Sequence, residues 1–141
     1  MRQKLNIVTL GVRDFTAAVN FYQNGLGWKC SSISEEKIAF FDLGGVVLAL
    51  YPWELLAEDV GVAHDGQGFS GITLAYNAKS QGEVDAVLKQ VEELGAKVVK
   101  QAQTVFWGGY SGYFADLDGH LWEVAWNPFL EFDNKDSLIL P

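Results

Sequence analysis

Hydrophobic residues in the first third of the chain change from an alternating to a helical spacing and back again. Residues 5–12 are rich in β-branched side chains and predict a strand. Asp14 is a candidate N-cap for a helix, which Asn24 and Gly25 are expected to end. The apolar residues at helical spacing within it are Phe15, Ala18, Val19 and Tyr22. Strands predicted at about residues 28–34, 37–43 and 46–51 complete a βαβββ order.

The second half of the chain repeats this order of patterns. A strand predicted at residues 69–77 is followed by Ser80 and Glu83, the two polar positions of a capping box. The apolar stripe of the next helix consists of Val84, Val87, Leu88 and Val91. Strands predicted at about residues 96–103, 109–116 and 120–126 complete a second βαβββ unit.

The two halves also share residues at matching positions. Residues 41–50 align with residues 115–124, which pairs Asp42 with Asp116, Gly45 with Gly119 and Ala49 with Glu123. Such a duplication predicts two similar modules whose matching faces form a cleft. Of the last pair, only the second copy carries a carboxylate.

The length of 141 residues favours a single domain that spans residues 1–141. We expect the first module at about residues 5–52 and the second at about residues 69–128. Residues 53–68 have the length of a crossover between modules rather than of a flexible linker. Residues 129–141 form a tail that is expected to fold back on the body.

Side chains two residues apart in a strand share a face. In the first and last strands of each module, the bulkier set is expected under the helices. The smaller and more polar set then faces the cleft. The candidate cleft residues are therefore Thr9, Tyr51, Thr73 and Glu123.

The formal net charge is −8 and the sequence has no basic patch. Nucleic-acid affinity comes mainly from phosphate neutralisation by Lys and Arg, so a nucleic-acid partner is disfavoured. No apolar run reaches transmembrane length, and the N-terminus lacks the apolar stretch of a signal peptide, so we expect a cytoplasmic protein with no membrane partner. Cys30 is the single cysteine, which excludes an internal disulfide and a cysteine metal cluster.

Two segments of the chain resemble the vicinal oxygen chelate superfamily, which includes glyoxalases, bleomycin-resistance proteins and extradiol dioxygenases. The first is Thr9 to Asp14, followed by Phe21-Tyr22 and Leu26-Gly27. The second is Tyr113 to Val124, in which Leu117 stands where the family usually has proline. The resemblance covers about residues 5–128. It implies an α+β fold in which two βαβββ modules form a cupped, incompletely closed, eight-stranded mixed sheet with the helices outside. It also implies a homodimer, whose modules pair either within one chain or across two.

Enzymes of this superfamily hold one divalent metal through residues on the first and last strands of each module, usually His, Glu or Gln. The corresponding positions here are Ile7, Ala49, Gly71 and Glu123. Isoleucine and alanine have no donor atoms and glycine has no side chain, whereas a divalent ion needs several protein ligands. We therefore expect no bound metal and no cofactor.

The two histidines are not expected to replace the missing ligands. His120 lies in the Asp118-Gly119-His120 turn, where a polar residue is common, and His64 lies beside Asp65 in the acidic crossover.

Aromatic residues near the predicted cleft are candidate ligand contacts. Trp53 begins the crossover, and Trp107, Tyr110 and Tyr113 lead into a strand of the second module. In metal-free members such as bleomycin-resistance proteins, aromatic residues near the cleft stack on planar ligand groups, and those proteins are acidic dimers. Packing in the core or in a dimer interface is the alternative role for each aromatic residue here.

Glu123 has three alternative roles, because a carboxylate that faces an apolar cleft is costly unless it is paired. It is a structural residue bonded to Thr9 or Thr73, an anchor for a ligand, or a general base with a raised pKa. Our leading hypothesis is a metal-free homodimer that sequesters a planar or cationic small molecule between aromatic residues, with Glu123 as anchor. The alternative is an enzyme. It would be a glyoxalase-like lyase or isomerase with an unconventional metal site, or an acid–base catalyst that uses Glu123.

Overall fold

Each half of the chain is organised around a pair of parallel strands. The computed structural model describes residues 1, 3, 5–61, 66, 68–70 and 72–139. The chain divides into two units, Met1–Ser70 and Gly71–Pro141. The first unit contains β1 (Ile7–Val12), α1 (Phe15–Asn20), β2 (Ala39–Asp42), β3 (Val47–Pro52) and α2 (Trp53–Val60). The second contains β4 (Leu74–Ala78), α3 (Gln81–Glu93), β5 (Lys97–Thr104), β6 (Tyr110–Ala115), β7 (Leu121–Trp126), β8 (Glu131–Phe132) and β9 (Leu138–Ile139).

The first unit forms a three-stranded sheet in the order β1-β3-β2, with β1 parallel to β3. Helix α1 packs on β3 and continues into a π-helical turn, Phe21–Gly25, before the chain takes a positive φ at Gly27 rather than at Gly25. The core lies on this side of the sheet, where even-numbered strand residues are buried with two aromatic rings: Leu10, Val12, Leu48, Leu50, Tyr22 and Phe41. Burial thus confirms that the bulkier set of strand residues packs under the helix.

The strand predicted at residues 28–34 is reduced to a single bridge between Cys30 and Phe41. Serine side chains in this segment bond to nearby backbone groups. Ser34 Oγ accepts a hydrogen bond from the Phe40 N–H at 3.0 Å, and Ser31 Oγ accepts one from the Ile33 N–H at 3.4 Å. Such local bonds compete with a strand ladder, so the first sheet has three strands instead of four.

The second unit forms a four-stranded sheet in the order β4-β7-β6-β5. Helix α3 covers one face, and Val84, Leu88 and Val91 are buried there, while Val87 of the predicted stripe is partly exposed. On the sheet, Phe114 and Trp122 stack with ring centroids 6.2 Å apart. Within the part of the chain that the structure describes, β4 and β5 are free edges, so this sheet does not close on itself.

The start of α3 confirms the predicted capping box with one difference. Ser80 Oγ accepts a hydrogen bond from the Glu83 N–H at 3.1 Å. The Glu83 carboxylate accepts one from the Lys79 N–H at 2.8 Å, one residue before the usual donor, and a second from the Tyr76 hydroxyl. These bonds tie β4 to the first turn of the helix.

The duplication is visible in two equivalent turns. Asp42 Oδ1 accepts a hydrogen bond from the Gly44 N–H at 2.9 Å, and Asp116 Oδ1 accepts one from the Asp118 N–H at 3.0 Å. The glycine that follows each turn has a positive φ, 126° at Gly45 and 89° at Gly119. The matched aspartates therefore perform the same structural task in the two units.

The tail forms the β8–β9 hairpin. Phe129 lies close to Gly108, and the Lys79 ammonium forms an ion pair with Asp136 and lies 5.9 Å from the Phe132 ring centroid. The tail thus folds back on the second unit, as its apolar residues predict. None of the helices that the structure describes combines the length and apolar character needed to cross a membrane.

Gly112 lies where β6 passes under α3. A Cβ atom added there would lie 2.8 Å from both Leu88 Cδ1 and the Lys100 carbonyl oxygen. We predict that Gly112→Ala lowers the free energy of unfolding by about 1–3 kcal/mol, because such overpacking forces backbone shifts. Denaturant unfolding measures the change. Gly82→Ala is the matched control, since its nearest contact would be 4.0 Å away. Equal effects of the two substitutions would contradict the close approach of α3 to β6.

The titration of Tyr76 is expected to affect the stability of the protein at high pH. Burial, followed by the hydrogen bond and the charge of Glu83, raises the pKa of Tyr76 from 10.0 to about 12. A raised pKa means that this stabilisation is complete below pH 10 and is lost as the pH rises toward 12. We predict that Tyr76→Phe reduces the loss of stability between pH 10 and pH 12, measured by urea unfolding. An unchanged pH profile would contradict the coupling.

Candidate functional site

Strand alternation places the candidate residues on the face opposite the core of each sheet. In β1, β3, β6 and β7 this face carries the odd-numbered residues, and we call it the odd face. In the first unit it carries Thr9 and Tyr51, and in the second Tyr113 and Glu123. Thr73 precedes β4 and is exposed, and Ala75 is the residue that pairs with Glu123.

A pocket of about 530 Å³ opens on the odd face of the first unit, and we call it the first-unit pocket. Its floor contains Thr9 and Tyr51, and its walls are the turn before β2 and one side of α2. The wall residues are Glu35, Glu36, Lys37, Ile38, Leu56 and Asp59. Its volume falls in the range of small-molecule sites.

Two hydroxyl groups and one carboxylate of the first-unit pocket have no side-chain partner among the described residues. Among the residues that the structure describes, neither the Thr9 nor the Tyr51 hydroxyl makes a hydrogen bond, and Asp59 makes no ion pair. Three carboxylates and one ammonium group line the pocket. The pocket therefore carries a net negative charge at neutral pH.

Trp53 lies outside the pocket lining and covers Gly11. A Cβ atom at Gly11 would lie 3.0 Å from Trp53 Cε3 and 3.3 Å from Leu56 Cδ2, so glycine allows α2 to approach β1. The Arg13 guanidinium lies 5.0 Å from the centroid of the indole ring. Trp53 thus fixes α2, which supplies one wall of the pocket, and its ring already has contacts within the protein.

Three polar side chains lie in a row across the odd face of the second unit: Lys100 on β5, Tyr113 on β6 and Glu123 on β7. We call them the second-unit row. Lys100 pairs with Tyr113, and Tyr113 pairs with Glu123. The Lys100 ammonium lies 5.7 Å from the Tyr113 ring centroid. Tyr113 is the directly paired neighbour of Glu123 in the sheet, whereas Thr73 lies before β4.

Burial raises the pKa of the Tyr113 hydroxyl, and the charge and hydrogen bond of Glu123 raise it further. The phenol therefore stays protonated at neutral pH. The row offers an ammonium at one end, a carboxylate at the other and an aromatic ring between them.

Two other aromatic candidates have contacts of a different kind. Tyr110 lies on the face that α3 covers, and its hydroxyl donates a 2.9 Å hydrogen bond to Asp85 of that helix, which raises its pKa. It does not share a face with Tyr113, because the two residues are three positions apart in one strand. Trp107 packs on Gly109, where a Cβ atom would fall 1.7 Å from the indole ring.

Alternation along the chain could have revealed the separation of Tyr110 from Tyr113. Lys100 was not predicted, because the ladder between β5 and β6 shifts register on both sides of it. The wall of residues 35–38 was also missed, since a charged run in a turn usually indicates only a solvated surface.

The positions at which this type of fold holds a metal do not fit one here. Ile7 is 49% exposed and Ala49 is buried, and neither has a donor atom. Glu123 is the one of these four positions with a donor side chain, and it lies opposite Tyr113. Gly71 and His64 lie outside the described residues, and His120 lies in the turn that Asp116 organises. Within the described ranges, no three His, Cys, Asp or Glu side chains are placed to hold an ion.

Comparisons with known proteins agree with this fold. The sequence profile of the Glyoxalase/Bleomycin resistance protein/Dioxygenase superfamily matches residues 4–124. Metallothiol transferase FosB of Shouchella clausii is 31% identical over 124 residues, which cover 85% of this chain and 77% of that protein. The uncharacterized protein YraH of Bacillus subtilis is 30% identical over 126 residues, 86% of this chain and 96% of that protein.

A solved structure extends the likeness to nearly the whole chain. The glyoxalase-related enzyme of Fulvimarina pelagi is 34% identical and superimposes with a TM-score of 0.89, covering 98% of each chain. The profile match covers residues of both units and includes both of the equivalent turns described above. The chain therefore belongs to the Glyoxalase/Bleomycin resistance protein/Dioxygenase superfamily.

Proposed function

We propose that this protein binds a small planar or cationic organic molecule without a metal, and that the first-unit pocket is the binding site. The pocket supports this proposal by its size, its negative charge and its free hydroxyl groups. Thr9 of the pocket lies directly opposite Ala49, one of the positions where enzymes of the superfamily carry a metal ligand. The pocket thus lies beside a metal position that hydrocarbon side chains now occupy.

The charges of the lining favour a cation. Glu35, Glu36 and Asp59 outnumber Lys37, and the whole chain carries a net charge of −8. Such a surface attracts cations and raises their local concentration. The attraction is between exposed groups, so it weakens as ionic strength rises.

The remaining lining favours a flat, partly apolar body. Tyr51 offers an aromatic surface, and Ile38 and Leu56 are apolar. Pockets for small molecules commonly combine apolar walls with a few polar groups that fix orientation. A planar aromatic cation satisfies both parts of this lining. The proposal also includes a cytoplasmic homodimer. Analytical ultracentrifugation would measure its mass.

The FosB relative is named a metallothiol transferase, and the Fulvimarina structure is described as an enzyme. Transfer through a metal is not part of our proposal, because Ile7 and Ala49 have no donor atoms. The likeness supports a shared fold. The side chains at Ile7 and Ala49 support a different chemistry at the site.

The binding proposal predicts a preference among matched aromatic probes. We predict that N-methylquinolinium binds more tightly than the uncharged 1-methylnaphthalene and the anionic 1-naphthoate. An exposed cation–aromatic contact makes the first ratio about two- to five-fold. Isothermal titration at low and high salt, with and without EDTA, measures it. Tyr51→Leu and Asp59→Asn weaken cation binding, and EDTA has no effect.

Glu58→Gln is the matched control for Asp59→Asn. Both residues are exposed on α2 and both substitutions remove one negative charge, but Glu58 does not line the pocket. Equal losses of affinity in the two variants would show only an effect of net charge. That result, or tighter binding of 1-naphthoate, would contradict the pocket.

A second candidate function is acid–base catalysis by Glu123. The pairing of Tyr113 with Glu123 favours it, because a neighbouring phenol and carboxylate can act as a donor–acceptor pair toward a substrate. It is the metal-free form of a lyase or isomerase activity. In this case Glu123→Gln would abolish turnover and leave binding intact, whereas a sequestering protein has no turnover to lose.

The Tyr113–Glu123 pair also predicts a titration. Glu123→Gln removes the negative charge that helps to raise the pKa of Tyr113, so we predict that this pKa falls toward 10.0 and stays above it because burial remains. The ¹³Cζ resonance of Tyr113 reports the change. Tyr110 is the internal control, since its pKa depends on Asp85 and is expected to stay unchanged. A constant pKa of Tyr113 would contradict the coupling to Glu123 and the catalytic candidate with it.

A further inference from the structure

The second-unit row already holds a cation against an aromatic ring. The Lys100 ammonium lies 5.7 Å from the centroid of Tyr113, within the distance of a cation–π contact. Glu123 is the directly paired neighbour of that tyrosine on β7. We propose that Tyr113 and Glu123 form a binding site for a methylated ammonium group of an organic ligand, and that Lys100 occupies this site until the ligand displaces it.

The ring and the carboxylate offer complementary attractions to one cation. The negative face of the Tyr113 ring attracts a positive group through its quadrupole. Glu123 contributes a carboxylate on the next strand, directly opposite Tyr113, so that the ring and the carboxylate can face one cation together.

Lys100 is held weakly and can leave. It lies on β5, an edge strand, and the ladder to β6 changes register on both sides of it. The residue is exposed, and among the described residues its ammonium forms no ion pair, in contrast to Lys79, which is paired with Asp136. The contact with Tyr113 is therefore the interaction that a competing cation must replace.

A methylated ammonium is the cation best suited to displace it. The lysine ammonium is compact and strongly hydrated, so it gains little by exchanging water for an aromatic face. A quaternary ammonium has no N–H donors and keeps its charge within an apolar shell, which matches a ring beside a carboxylate. On the odd face, Ala75 pairs with Glu123 and Ala115 lies two positions from Tyr113, and these small side chains leave room for methyl groups, with Leu121 as an apolar neighbour.

The proposal for this site is independent of the proposal for the first-unit pocket, because the two sites share no residue. All its residues belong to the second unit, and Tyr51 and Asp59 belong to the first. Failure of the pocket proposal would leave this site in place, and the reverse also holds.

The test compares two lysines on the same strand. Lys97 is exposed, lies on β5 and pairs with Ala115 on the same face, but its ammonium is not at the ring. The probe is choline, and 3,3-dimethylbutan-1-ol is its uncharged isostere. We expect Lys100→Met to tighten choline binding about two- to five-fold over wild type, and Lys97→Met to change it much less. Titration by NMR, with the choline methyl signal shifted upfield by the ring, gives both affinity and location.

Three further measurements make the outcome decisive. In the free protein, the Lys100 ε-methylene protons are expected to be shifted upfield by the Tyr113 ring, and the Lys97 ones are not. Tyr113→Leu is expected to abolish this shift and the choline-induced shifts of the Glu123 resonances, whereas Tyr51→Leu changes neither. The uncharged isostere is expected not to bind.

The proposal is overturned if Lys100→Met and Lys97→Met act alike, if the isostere binds as well as choline, or if Lys100 shows no ring-current shift. Should Tyr113→Leu fail to fold, the comparison of the two lysine variants still decides the question.

Discussion

A strand that is buried under a helix on one side can place chemistry only on its other side, and this constraint governs both units. Helix α1 covers Leu10 and Leu50, and α3 covers the β6–β7 face at Gly112. Every group available to a ligand on these strands must therefore come from the odd face. There the sequence supplies Ile7, Thr9 and Ala49 in the first unit, and a single carboxylate, Glu123, in the second. The residues on that face determine what the superfamily fold does in this protein.

Because Ile7 and Ala49 have no metal-donor atoms, the remaining polar groups of the odd face are available for other contacts. Glu123, at a position where enzymes of the superfamily carry a metal ligand, here lies directly opposite Tyr113. The first-unit pocket is acidic, its two hydroxyls make no hydrogen bond within the described residues, and the second-unit row carries an ammonium at its ring. We propose that both surfaces bind organic cations.

Local features of the fold could be predicted from the sequence, and features that depend on distant contacts could not. The capping box at Ser80 and the buried stripe of α3 were predicted because each is encoded within about one turn of chain. The strand at residues 28–34 was predicted from composition but is replaced by serine-mediated turns. The contact of Lys100 with Tyr113 depends on a register shift, and the pocket depends on how α2 packs over Gly11. Neither feature has a local signal. The pairing of Glu123 with Tyr113 likewise depends on the register of strands that are distant from each other's local sequence patterns.

The absence of metal chemistry is the central claim, and the metal content of the purified protein tests it most directly. The protein would be produced in medium supplemented with zinc, manganese, nickel and iron, purified without chelator, and analysed by plasma mass spectrometry. With hydrocarbon at Ile7 and Ala49, each metal is expected far below one equivalent per chain. Near-stoichiometric retention of any of these metals, lost in Glu123→Ala, would contradict the account.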